Sequence, residues 1–396
     1  MSRMSEFRRS QLAIAALFCF LGFQYSTWAA RIPALTDRLD LTAGEVGVLL
    51  LAAGVGATVS FPLVAKLIVV LGSRRLAIGS ALVLVAALAG LAAAPNYPAA
   101  LAVLLVDGVA VGCLNVAMNA QGAALEAAFQ RNTMAKLHAL FSGGIFAAAL
   151  LASAVTALSD AVPLHFTIAG AVLLLLVVVA RSALLEADLP ATEKKTSGGR
   201  WARPAAVTIW LGLAMVFATI TEGAMTDWTA LYLKEIAHAA PHLLPLGIAV
   251  TSAMMVTARL FADGWRERWG DKRVVLAGGT VAGAGLAIAL LAGGVAPALA
   301  GFACVGLGMA AVTPCLYVAA AREGSTTLTV VSAMGTTGLL AGPPAIGFIA
   351  EGSNLTWGMS AVVITAWLAV LSVVPVRWPG KAAAPETAAV ADQSKV

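Results

Sequence analysis

Residues 98–128 read PAALAVLLVDGVAVGCLNVAMNAQGAALEAA, with Asp107 and Glu126 as the only charged side chains. A helix rises about 1.5 Å per residue, so about 20 residues of this kind cross a bilayer's hydrocarbon core. The alternation of polar and apolar residues that marks a membrane strand is absent from this run. The stretch therefore reads as a transmembrane helix, and similar runs fill the chain. They lie at about 8–35, 43–71, 74–94, 134–158, 162–185, 205–234, 243–265, 273–295, 297–321, 327–350 and 355–377. Turn signals separate them, among them Gly72-Ser73, the run 95–98 (PNYP), Gly270-Asp271 and the run 352–354 (GSN).

Composition agrees. Of 396 residues, 60% are apolar and only 11% charged, where a soluble domain carries about 25% charged residues. That excludes a soluble globular protein and a disordered one. The expected fold is an all-α polytopic membrane protein of twelve transmembrane helices. Arg3, Arg8 and Arg9 before an apolar stretch resemble a signal peptide. The apolar segment runs on toward Leu35, however, as an uncleaved first helix does.

The net charge of +5 sits in short loops and not on a basic face interleaved with aromatics, so nucleic acid is not an expected partner. With the N-terminus placed in the cytoplasm, Arg31, Arg38 and Lys234 fall at outer ends, and the other 22 of 25 basic residues fall on the inner side. That asymmetry predicts both termini in the cytoplasm. Cys19, Cys113, Cys304 and Cys315 lie inside apolar runs without metal-ligand spacing, and read as packing residues. No metal and no cofactor is expected.

The chain repeats itself. GSRR (72–75) and GDKR (270–273) lie 198 residues apart, and at the same offset GVAVGCLNVAMN (108–119) overlies GLGMAAVTPCLY (306–317). Trp28 and Trp228 match at an offset of 200. Parallel six-helix repeats predict two bundles related by pseudo-twofold symmetry around a central cavity. The expected organisation is a bundle over 1–185, a polar cytoplasmic linker over 186–204, a second bundle over 205–378 and a disordered tail over 379–396.

This six-plus-six pattern, with a Gly-x-(Arg/Lys)-Arg loop after the second and eighth helices, resembles the major facilitator superfamily. The second loop fits that family's pattern at Glu267, Gly270, Lys272 and Arg273, with Asp263 in the place of the first glycine. The first keeps Gly72, Arg74 and Arg75 but has Val69 at the acidic position. Phe23–Leu35 (FQYSTWAARIPAL), 115–126 (NVAMNAQGAALE) with 138–142 (HALFS), and Glu222–Leu233 (EGAMTDWTALYL) resemble the bacterial facilitator group typified by YbjJ. GCLNVAMN is similar to the fucose–proton symporter pattern, which has a Glu where Asn115 stands here. Gly143-Gly144 lacks the proline of the antiporter motif, and the fourth helix lacks the Arg of drug–proton antiporters. The resemblance implies a secondary transporter of a small organic solute. If protons are coupled, another residue than Asn115 must carry them, because an amide cannot titrate.

Polar groups inside a membrane are costly and tend to face a cavity. Gln24, Asn115, Asn119, Glu222 and Trp228 are the candidates for substrate binding, and the amides suit a hydroxylated, sugar-like ligand. Glu222 is the most deeply placed carboxylate of the second half, and burial favours the protonated form that a proton carrier must reach. Asp107, and His138 beside Ser142, are the other candidates for proton coupling. Arg31, Asp227, Glu126, Arg259 and Asp263 are candidate gates. Arg31 and Asp227 are expected to pair when the outside closes, and Arg259 and Asp263 to pair within one helix. His238 and His242 flank Pro241 in a loop, against metal binding. Gly283-x-Gly285 and Gly306-x-Gly308 suit close helix packing better than nucleotide binding. No Walker loop and no nucleophile–base set appears, so neither ATP hydrolysis nor enzymatic catalysis is expected. The reading is a monomeric, proton-coupled, alternating-access transporter in a bacterial cytoplasmic (inner) membrane. The alternatives are proton-driven multidrug efflux, and a membrane sensor or receptor on a transporter scaffold.

Overall fold

The computed structural model describes residues 3–131, 133–186, 205–376 and 378. Most of the linker and the whole tail foreseen from the sequence lie outside the described residues. The first half comprises α1 (Arg3–Ala29), α2 (Ile32–Leu39), α3 (Ala43–Ala93), α4 (Tyr97–Phe129), α5 (Met134–Thr156) and α6 (Val162–Arg181). The second comprises α7 (Ala206–Asp227), α8 (Thr229–Glu235), α9 (Leu246–Trp269), α10 (Asp271–Ala292), α11 (Val295–Met309), α12 (Val312–Arg322), α13 (Ser325–Gly352) and α14 (Leu355–Val373). Eleven described helical stretches are long and apolar enough to cross a membrane. One of them, α3, has 51 residues and a break at Gly72, so it supplies two crossings and the expected twelve are present.

The turn residues act through identifiable chemistry. Thr42 and Glu45 form a reciprocal capping box at the start of α3, with Glu45 N–H donating to Thr42 Oγ1 at 3.2 Å and Thr42 N–H to Glu45 Oε2 at 2.9 Å. Asn96 accepts from Ala99 N–H at 3.0 Å and Asn354 from Trp357 N–H at 3.2 Å, which starts α4 and α14. The tenth apolar run is broken at Ala310-Ala311 into α11 and α12. Pro314 has no N–H to offer the Ala310 carbonyl, which accounts for the break.

The repeat is visible in three dimensions. Both halves open with a long helix followed by a short one, α1–α2 and α7–α8. Within the halves α5 packs on α1 as α13 packs on α7. Between the halves α3 meets α13 and α5 meets α9, and exchanging the halves converts one contact into the other. The ends carrying the start of α1 and the ends of α6 and α14 are called proximal below, and the opposite ends distal.

Candidate functional site and family

Midway along the bundle, a guanidinium and a carboxylate face each other at the junction of the halves. Arg259 on α9 and Glu222 on α7 approach to 3.4 Å, with side chains 32% and 30% exposed. Arg259 Nη1 also donates to Ser142 Oγ on α5 at 2.8 Å, which ties the second half to the first. Thr313 donates to Glu222 Oε2 at 3.3 Å from the broken tenth segment. His138, one turn before Ser142, is exposed and packs edge-on against Phe18 with ring centroids 5.0 Å apart. On α4, Asn115 is exposed, and Asn119 Nδ2 donates to its carbonyl at 2.8 Å and its Oδ1 at 2.9 Å. Arg259 and Glu222 are thus partly exposed, and Asn115 and His138 are exposed, so their donors and acceptors remain accessible.

The distal layer is built differently. Gln24 donates to Asp107 Oδ1 at 2.6 Å inside the first half. Its neighbour Tyr25 donates to Asp227 Oδ1 at 2.5 Å across the halves. Lys234 on α8 pairs with Asp37 on α2, and Ser153 Oγ donates to the His242 carbonyl at 2.5 Å. These bonds join the halves at the distal end. At the proximal end the bonds of Gln121 to Ser73, Arg74 to Glu186, Arg266 to Asp271 and Lys272 to the Val374 carbonyl each stay within one half.

Several sequence expectations are corrected by this geometry. Gln24 and Trp228 are fully buried, so neither lines the open site: Gln24 is spent on Asp107, and Trp228 packs against Gly347. Arg31 and Asp227 do not pair. Arg31 is buried in its own half, donating to Thr156 Oγ1 at 2.5 Å and to the Asp160 carbonyl, while Asp227 takes Tyr25 instead. Arg259 ignores Asp263, which is 89% exposed and leans toward Arg266 at 3.5 Å. Glu126 is no gate in this conformation: it accepts the backbone N–H groups of Thr133 and Met134 and so caps α5. The desolvation expected at Glu222 is found at Asp107 and Asp227, which are 3% and 4% exposed. The missing acidic residue of the first loop is offset by Gln121, which reaches Ser73 Oγ at 2.7 Å and the Leu185 carbonyl at 2.9 Å and accepts from Leu185 N–H at 2.8 Å.

The polar contacts of Tyr25, Thr313 and Lys234 come only with the structure. Their sequence signal is one of placement: Tyr25 follows Gln24, Thr313 precedes the proline of the second GVAVGCLNVAMN-like repeat, and Lys234 ends the seventh apolar run.

The model of the family described as "Major Facilitator Superfamily" matches residues 12–325. Membrane protein MosC of Rhizobium meliloti is 32% identical over 351 residues, covering 87% of this chain and 84% of that protein. An uncharacterized MFS-type transporter of Yersinia pestis is 31% identical, covering 89% of this chain and 92% of its own. Among solved structures, a mutant of the nucleoside transporter NupG superposes with a TM-score of 0.73 at 13% identity, over 93% of this chain and 98% of that one. A bacterial homolog of the human lysosomal transporter Spinster gives 0.72 at 12% identity, over 92% and 95%. With the twelve apolar crossings and the paired halves, these matches establish that the chain is a multi-pass membrane protein belonging to the Major Facilitator Superfamily of transporters.

Proposed function

We propose that the protein carries a small, polar, uncharged and hydroxylated organic solute across the bacterial cytoplasmic membrane, coupled to protons, by alternating access of two six-helix bundles acting as a monomer. The observation that carries this reading is the Arg259–Glu222 pair, partly open at the junction of the halves. The carboxylate accepts from hydroxyls and the guanidinium donates to them. Their charges cancel, so an uncharged solute leaves neither group uncompensated, whereas a charged one does. Asn115 and Asn119 add neutral donors and acceptors on α4. The nucleoside carried by NupG is a solute of this chemical kind, and that likeness supports the class without specifying the compound.

The asymmetry of basic residues supports a cytoplasmic position for the proximal end. Bonds between the halves gather at the distal end, which supports an inward-facing conformation. The Spinster homolog with a similar fold was likewise captured inward-facing and occupied.

The test is thermal unfolding of the purified protein against neutral polyols, nucleosides, organic acids and lipophilic cations. A bound ligand at about 100 times its Kd adds about 2.7 kcal/mol. Stabilisation by neutral hydroxylated solutes, lost in both Arg259→Ala and Glu222→Gln, is expected. Stabilisation by lipophilic cations alone, or one indifferent to both substitutions, overturns the reading in favour of drug efflux. Solute binding without uptake into proteoliposomes would point instead to a sensor on this scaffold.

A further inference from the structure

We propose that the proton controlling the distal seal resides on Asp227, with Tyr25 linking its protonation state to the opposite half. This rests on the proton-coupled reading above, but moves the proton from the open site to the seal. Gln24 and Tyr25 are consecutive on α1, so they leave the helix about 100° apart. One meets Asp107 in its own half and the other meets Asp227 in the other half. Both carboxyls are almost completely buried. Among the described residues neither forms an ion pair, and each receives a hydrogen bond from a neutral donor.

The charges on the elements around Asp227 are otherwise engaged. Helix α7 packs against α1, α8, α9, α11, α12, α13 and α14. Beyond α1, Arg31 is turned to Thr156 and Asp160. On α8, Lys234 is held by Asp37 and Glu235 is exposed. On α9, Arg259 serves Ser142 and Glu222, and Asp263 and Arg266 lie further toward the proximal end. On α12, Arg322 points to Asp271. On α13, Glu351 lies against Gly44, and α11 and α14 carry no charged residue. Asp107 on α4 offers only a like charge. An ionised Asp227 would therefore be buried without a counter-ion, which is far costlier than a protonated one.

Parting of the halves relieves that cost, because water then reaches the carboxylate. The same layer holds Gln24 Oε1, Ser26 Oγ, Trp28 Nε1 and Trp228 Nε1, all buried without a partner. Proton binding at Asp227 thus closes the distal end, and proton loss opens it.

The experiment measures the spin-label distance between Leu158→Cys and Ala240→Cys, on distal loops of opposite halves, in full-length protein whose four native cysteines are replaced. Measurements in nanodiscs run from about pH 5 to about pH 9 without solute. The ratio of long to short distances should rise with pH, by at most about tenfold per pH unit, as for release of one proton. Asp227→Asn, which keeps an acceptor for Tyr25, should hold the short distance at every pH. Tyr25→Phe should enlarge the long-distance population even at low pH. A pH response that survives Asp227→Asn, one abolished by Asp107→Asn alone, or no response in the parent protein overturns the proposal. Solute uptake, measured separately, reads the transporter assignment: a latch that titrates through Asp227 without uptake supports the proposal while removing that assignment.

Discussion

Gly108 and Gly306 hold the same place in the two halves, and each lies against a backbone carbonyl at the same repeat offset. A Cβ on Gly108 would stand 1.9 Å from the Ala53 oxygen, and one on Gly306 would stand 2.3 Å from the Thr251 oxygen. Both pairs are displaced by 198 residues, the spacing of the GSRR and GDKR loops. Helices meet at backbone distance in both bundles because neither position carries a side chain.

Gly108→Ala and Gly306→Ala should therefore each destabilise the protein by about 1–3 kcal/mol through overpacking. The losses should add, since the sites sit in different halves. Gly170→Ala is the control: no neighbouring atom lies within 4 Å of its Cβ position, and the change should be neutral or stabilising by up to about 1 kcal/mol. Thermal unfolding in detergent separates the cases. Equal stability in all three variants would contradict the close approach.

The loops after the second and eighth crossings share a backbone conformation. Gly72 has φ 76° and ψ 159°, and Gly270 has φ 83° and ψ 151°. This region is open essentially to glycine alone. Nothing lies within 4 Å of a Cβ at Gly270, so the penalty there is purely conformational. Gly270→Ala should cost about 1–3 kcal/mol, and Gly270→Asn should not restore it, because asparagine favours a different left-handed region. Comparison of the two melting temperatures decides the point.

Gln121 is buried and makes all three of its bonds to Ser73 and Leu185. Gln121→Leu keeps the bulk but strands the Leu185 N–H and carbonyl, at about 1–3 kcal/mol for each group left unpaired. Faster amide hydrogen exchange at Leu185 is the expected signature. Unchanged protection there would show that the clamp is dispensable.

Glu126→Ala should release the first turn of α5, costing about 0.5–2 kcal/mol. Exchange at Thr133 and Met134 should accelerate, while Glu126→Gln, which keeps an acceptor oxygen, should lose less. If solute uptake fell with no change in exchange, Glu126 would be acting as a gate after all.

At the open site, Arg259→Lys keeps the charge but loses the planar fork that reaches Ser142 and Glu222 together. Solute affinity should fall between those of the parent and of Arg259→Ala, as read by ligand-induced stabilisation. Full affinity in Arg259→Ala would remove Arg259 from the site.

The large features were legible because they follow from length and periodicity. Apolar runs separated by PNYP and GSN predict crossings and turns, and Asn96 and Asn354 do cap the helices that follow. The close packing inferred at Gly306-x-Gly308 is also present, with Gly308 against the Gly278 carbonyl. The polar partners were not legible in the same way. Gln24 and Asp107 are 83 residues apart, and Tyr25 and Asp227 are 202 apart. Spacing along one helix told which side chains share a face, and it correctly joined Asn115 to Asn119. It also suggested Arg259 with Asp263, where the stronger partners of Arg259 lay on other helices.

The sequence by itself determined that the chain crosses a membrane twelve times, that it is a repeat of two halves, and that its turns fall at Gly72 and Gly270, because hydrophobic transfer and backbone sterics act locally. Only the tertiary structure decided which carboxylates are sealed and which are open. Asp107 and Asp227 became buried, and Glu222 stayed partly exposed, because burial and pairing depend on what the opposite helix presents, and that neighbour is separated along the chain by as much as half its length.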